Sequence, residues 1–157
     1  MKNEMILEAL KLSAGVLSGF IKSIPEETVM KRRKDFWTIY EHLDHLTSTQ
    51  AMLCGRIENF IKEENPVIKA YNPADKPVVK KTRTITELLE DFSKLRAKQV
   101  ALLEGCADDV WGKTAQHPQY SVYNFEIMVR HILFHDGSHM YRMEELWILK
   151  DEFIKPA

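Results

Sequence analysis

Three histidines repeat at four-residue steps in the C-terminal third of the chain: His131, His135 and His139. On a helix they would spread over only about 80° of the circumference and stack about 6 Å apart. Buried neutral imidazoles each need a polar partner. A transition metal is a common one, and an i, i+4 pair often presents two ligands. The segment His135-Asp-Gly-Ser-His139 lacks the glutamate beside its first histidine that a zinc-protease helix carries. Three ligands on one straight helix would strain the geometry, so His135 and His139 are read as the ligating pair. A third ligand must then come from another helix, and Glu41-His-Leu-Asp-His45 is the other histidine cluster. Relative to the apolar stripe there, His42 lies about 60° off centre and His45 about 120° off, at the border of a groove. Spacing alone leaves both open. Three protein ligands plus an open position is the pattern of a catalytic site. Imidazole-only ligation suits zinc or nickel, and also iron.

Four long amphipathic segments would position these residues. In the first, Ile6, Leu10, Val16, Leu17, Phe20 and Ile24 mark one face. Ser23-Ile-Pro-Glu26 could then cap a short extra turn. Thr38-Ile-Tyr-Glu41 opens the second helix as a capping box, and that helix runs out near Glu63. Residues 65–81, with Pro66, Pro73 and Pro77, read as a loop. Thr84-Ile-Thr-Glu87 caps a third helix carrying Leu88, Phe92, Leu95, Gln99, Leu102 and Leu103. Ser121 is the expected cap of a last helix running to about Leu149. No strand-like alternation is present. The economical assembly is an all-α four-helix bundle, one domain over residues 1–157, with a long crossover loop.

Composition narrows the classes. Lysine and arginine number 22 against 23 aspartate and glutamate, a net charge of −1. That argues against a nucleic-acid partner despite basic runs at 31–34 and 80–83. The first run reads as a solvated connection. No apolar run approaches the ~20 residues that span a bilayer. Cys54 and Cys106 form no disulfide framework and read as small buried residues of a reduced, cytoplasmic chain. Seven methionines and three tryptophans read as packing residues.

The stretch Trp37-Thr-Ile-Tyr-Glu-His-Leu-Asp-His45-Leu resembles the W-S-x(6)-H-L signature of the DinB family, the DinB/YfiT-like four-helix bundles. Val129-Arg-His-Ile-Leu-Phe-His135-Asp-Gly-Ser-His139 is similar to that family's H-[DE]-x-x-H segment. The resemblance follows helix order over essentially the whole chain. It implies that His45 joins His135 and His139 on one divalent metal, and that the bundle is of an up–up–down–down type and often a homodimer. It also implies a metal-dependent enzyme acting on a small molecule by activating a thiol or water. Relatives include transferases of low-molecular-weight thiols; a hydrolase and a non-catalytic stress-response module are the alternatives. His42 falls where relatives usually carry an apolar residue.

One departure is at Arg142, where many relatives continue H-x-G-Q after the last ligand. Arg142 sits three residues past His139, facing the same way, and is a candidate contact for an anionic substrate. Asp136 falls within the apolar stripe of the last helix, so it needs a buried partner; His42 is the expected one. His117 reads as a surface-loop residue, with access to the cleft as the alternative.

Overall fold

Each long helix opens on a side-chain cap. In a computed structural model describing residues 3–71 and 82–154, the Ile6 N–H donates to Asn3 Oδ1 at the start of α1 (Glu4–Ser23). The Thr38/Glu41 capping box starts α3 (Ile39–Lys62), and the Thr84/Glu87 box starts α4 (Ile85–Gly105). Both boxes are as the sequence predicts. Between α1 and α3 lies the single turn α2 (Glu26–Val29). Ser23 does not cap it: its hydroxyl donates back to Phe20 O, and Pro25 takes the cap position.

The last long helix, α5 (Phe125–Trp147), is capped by Asn124, not Ser121. The reason is backbone pairing. Ala115 N–H donates to Tyr123 O and Phe125 N–H to Lys113 O, which pairs Asn124 with Thr114 in extended backbone and leaves Ser121 and Val122 in a bend. A parallel bridge from Val67 to Gln116 adds a third segment to this clasp. A 3-10 turn at Asp108–Gly112 precedes it, and the short α6 (Asp151–Ile154) follows α5. Leu149, with φ 62°, ends α5 in the left-handed region, and the Lys150 N–H closes on Glu145 O. Pro73, Pro77 and the Lys80–Lys81 part of the second basic run lie outside the described residues.

The bundle packs α3 against α4 and α5, and α1 against the same two helices. Its direction differs from the up–up–down–down expectation. Tyr40 Oη donates to Arg83 O near both helix starts, while Lys98 pairs with Glu58 far along both, so α3 and α4 run parallel. His42 meets His139 and Phe60 meets Phe125, so α5 runs antiparallel to α3. Asn3 bonds Glu126 and Phe20 packs on Trp147, so α1 runs with α5. The order is therefore up–down–down–up. It follows from α4 beginning beside the start of α3, where Tyr40 Oη donates to Arg83 O.

Two apolar clusters fill the interior. One contains Leu10, Ile57, Phe60, Trp111, Phe125 and Val129; the other contains Leu17, Ile21, Tyr40, Leu43, Phe92 and Met143. Between them lies a buried polar layer of Gln50, Arg96, Gln99 and Asp136. Asp136 therefore does not bond His42. Its Oδ2 accepts from Arg96 Nη2 at 2.6 Å, while its Oδ1 has no hydrogen-bond partner among the described residues. Val16 is also corrected: it lies exposed, with Leu12 and Met5, on the outer face of α1.

The basic run is more than a solvated connection. Arg32 pairs with Glu41, Arg33 Nε donates to Leu146 O, and Lys34 Nζ donates to Glu152 O. It ties the entry of α3 to the end of α5, the two helices that carry the histidines. Cys54 and Cys106 are buried, as expected, and form no disulfide among the described residues. No helix among the described residues is long and apolar enough to cross a membrane.

Candidate metal centre

The antiparallel pairing of α3 and α5 brings histidines from distant parts of the chain face to face. His45, His135 and His139 each offer a ring nitrogen, and these atoms all lie within 4.8 Å of one another. His45 Nε2 and His135 Nε2 are 3.0 Å apart. Two nitrogens on one tetrahedral zinc would stand about 3.3 Å apart, given bonds of about 2.0–2.1 Å. The donor set fits a single divalent transition metal, and the His45–His135 nitrogens already stand near that spacing. His45 is buried, while His135 and His139 are half-buried and open toward solvent.

His42 is not one of the three, but it touches them. Its Nδ1 lies 2.8 Å from His139 Nδ1. Burial, then the nearby Arg142 charge, lowers its pKa from 6.5 to about 4, with Glu41 opposing. It is thus neutral at pH 7, and its Nδ1 can accept a hydrogen bond donated by the His139 Nδ1–H. That contact leaves His139 its Nε2 for other use. Outer partners of this kind orient a ligating imidazole. Replacing His42 by leucine is expected to weaken metal binding about 10–100-fold. Competition against a chromophoric chelator measures it, and an unchanged affinity would mean His42 does not orient His139.

Two rings close the surroundings. Trp37 packs 5.3 Å from both His42 and His45 and lies nearly parallel to His139 at 6.2 Å. Tyr71 packs 5.8 Å from His45. The Thr38 cap fixes where Trp37 meets the helix, so the tryptophan of the sequence signature is a wall of the site. The sequence reading gave Trp37 only a packing role.

His131 stands apart from the three. It faces Tyr120 and Tyr123, at 5.7 Å from each, in the wall of a cavity of about 210 Å³ that His135 also lines. His117 lines the same cavity. Of the two sequence readings for His117, cleft access is the one the structure favours, because the 113–116 and 123–125 backbone pairing folds that loop over α5. Arg142 is engaged by Glu145, at 3.0 Å, and by Glu152.

One residue past His135 on α5, Asp136 forms the buried pair with Arg96. Arg96 Nη2 also reaches Gln50 Oε1 at 3.3 Å, and its guanidinium lies 5.1 Å from the Phe92 ring centre. Burial raises the Asp136 carboxyl from 3.8 to about 6, against the pull of Arg96. Sequence reading missed Arg96. The signal was an arginine exactly one helical step from Phe92 and from Val100 on the buried row, beside the equally polar Gln99.

The likeness to known proteins agrees with this arrangement. No curated protein matches significantly. The solved structure of YfiT from Bacillus subtilis, described as "a probable metal-dependent hydrolase with an unusual four-helix bundle topology", is similar with a TM-score of 0.80 at 19% identity. The match covers 93% of this chain and 87% of that one. At that identity the likeness shows the fold. The sequence profile of the DinB superfamily matches residues 9–143, a span holding all four long helices' cores and each of the clustered histidines. On that match, and with its two signature segments facing each other across α3 and α5, the chain belongs to the DinB superfamily.

Proposed function

We propose that this chain is a metal-dependent enzyme in which His45, His135 and His139 hold one divalent metal, zinc or nickel or else iron, and that water or a low-molecular-weight thiol is activated there for attack on a small-molecule substrate. The observation that carries the reading is the convergence of three imidazole nitrogens, from two helices, within 4.8 Å. A metal bound by three neutral histidines supplies Lewis acidity that makes a nucleophile available at neutral pH. The protein's own groups would do the rest. His42 orients His139, Trp37 shields one side from solvent, and the cavity beside His135 receives the substrate.

The description of YfiT as a probable hydrolase favours water; the thiol comes from the family resemblance alone. A turnover screen of metal-loaded protein, with hydrolysable esters and amides and with thiols paired to electrophiles, separates them. Metal-dependent turnover in one arm, lost on chelation, is expected. Bound metal without turnover in any arm is what a non-catalytic metal-binding module would give, and would contradict the enzyme reading. A second copy of the chain would find an apolar stripe at Met5, Leu12 and Val16 of α1. Sedimentation giving a single-chain mass would contradict the homodimer.

A further inference from the structure

The cavity beside His135 carries a recognition chemistry that the three histidines do not use. Its volume, about 210 Å³, falls below the roughly 300–1,000 Å³ of sites for drug-sized ligands, so it suits a small molecule. One wall is a cage of rings. His117 lies 4.5 Å from Tyr123 and 4.7 Å from Tyr120, and the two tyrosines stack at 5.9 Å with planes 13° apart. His131 closes the cage. Ring faces alone would suit a cation.

Charge reverses that reading. Arg56 lines the same cavity, and no carboxylate does among the described residues. Its charge reaches the cage: after burial, it is the next cause holding the His117 pKa below the ordinary value. Burial, then Arg130, lowers His131 as well. Both imidazoles are thus neutral at pH 7, and Arg56 is the permanent charge on the cavity wall. A cationic guest would meet a guanidinium with no carboxylate on the same wall among the described residues; an anion would meet a planar fork of donors. Among the described residues the Arg56 guanidinium makes one hydrogen bond, from Nη2 to Lys69 O at 2.8 Å. Arg142, in contrast, does not line this cavity and is already held by Glu145 and Glu152.

We propose that this cavity is the specificity pocket for a small monoanionic substrate: Arg56 holds its carboxylate, the Tyr120–Tyr123–His117–His131 cage holds its apolar or aromatic body, and its reacting group lies toward His135. The pocket's place in catalysis rests on the metal-enzyme reading above; its anion selectivity does not. Calorimetric titration of the full chain with phenylacetate and its neutral counterpart phenylacetamide, both metal-loaded and after chelation, tests it. In the chelated protein phenylacetate is expected to bind about 10–100-fold more tightly, as for a hydrogen-bonded charge. Arg56→Gln should abolish that preference, Arg56→Lys should keep part of it, and Arg142→Gln should keep it all. Equal affinities in the wild type, a preference surviving Arg56→Gln, or one lost in Arg142→Gln instead would overturn the proposal. A wild type that takes up no metal would sink the enzyme reading while leaving the phenylacetate preference of the chelated protein intact, so the two failures are distinguishable.

Discussion

Arg96→Met is expected to destabilise the bundle by about 3–5 kcal/mol, because it leaves the Asp136 carboxylate buried without its counter-charge. Arg96 and Asp136 are 1% and 3% exposed, so solvent cannot take over the missing contact. Methionine fills a similar volume, so the loss is electrostatic and not a cavity effect. The double variant Arg96→Met/Asp136→Leu should recover most of the loss, since a buried ion pair is often matched by apolar residues of similar size. Urea unfolding of the two variants and the wild type checks both statements. A double variant as unstable as the single one would mean that the guanidinium stabilises the bundle chiefly through Gln50 and Phe92.

The same pair gives the metal-free protein a pH signature. Asp136 has a folded pKa of about 6, above the ordinary 3.8, so the fold binds its proton more tightly. Its contribution to stability therefore falls as pH rises through that window. His42 has the opposite sign. Its folded pKa, about 4, lies below 6.5, so its contribution is full above 6.5 and lost as pH falls toward 4. The two slopes oppose each other across much of the same range. Asp136→Asn removes one of them, so its urea midpoint should fall more steeply than the wild type's between pH 6.5 and 4. A slope no steeper than the wild type's would contradict the burial argument for Asp136.

The other large effect belongs to the ligands. Replacing His45, His135 or His139 by alanine is expected to weaken metal binding by more than the ~10–100-fold that loss of an outer partner brings. His131→Ala should leave metal affinity unchanged, because His131 faces Tyr120 and Tyr123 instead. This contrast separates the i, i+4 pair from the third histidine of the row. Equal losses at His131 and His135 would mean that the row acts as a unit.

Much of this arrangement was legible in the sequence. The Thr38 and Thr84 boxes carry their own chemistry in adjacent residues, so the starts of α3 and α4 could be read directly. The i, i+4 spacing of His135 and His139 depends only on helix geometry. What escaped depends on long-range pairing. Asn124 caps α5 because its pairing with Thr114 holds it extended, and nothing local to Ser121 reveals that. The direction of α4 is set by where the crossover ends. Asp136 was correctly read as a buried carboxylate in need of a partner, but the partner was Arg96. A helical wheel cannot tell which residue of a third helix reaches the same layer. His117 and His131 line one cavity because each packs on Tyr120 and Tyr123, which the preceding loop folds between them.

The central claim is that His45, His135 and His139 share one divalent metal, and elemental analysis of protein purified without a histidine tag tests it most directly. One divalent metal per chain is expected for the wild type after loading, and none for the His45→Ala/His135→Ala double variant. Stoichiometric metal in a folded double variant, or a wild type that takes up none, would contradict it.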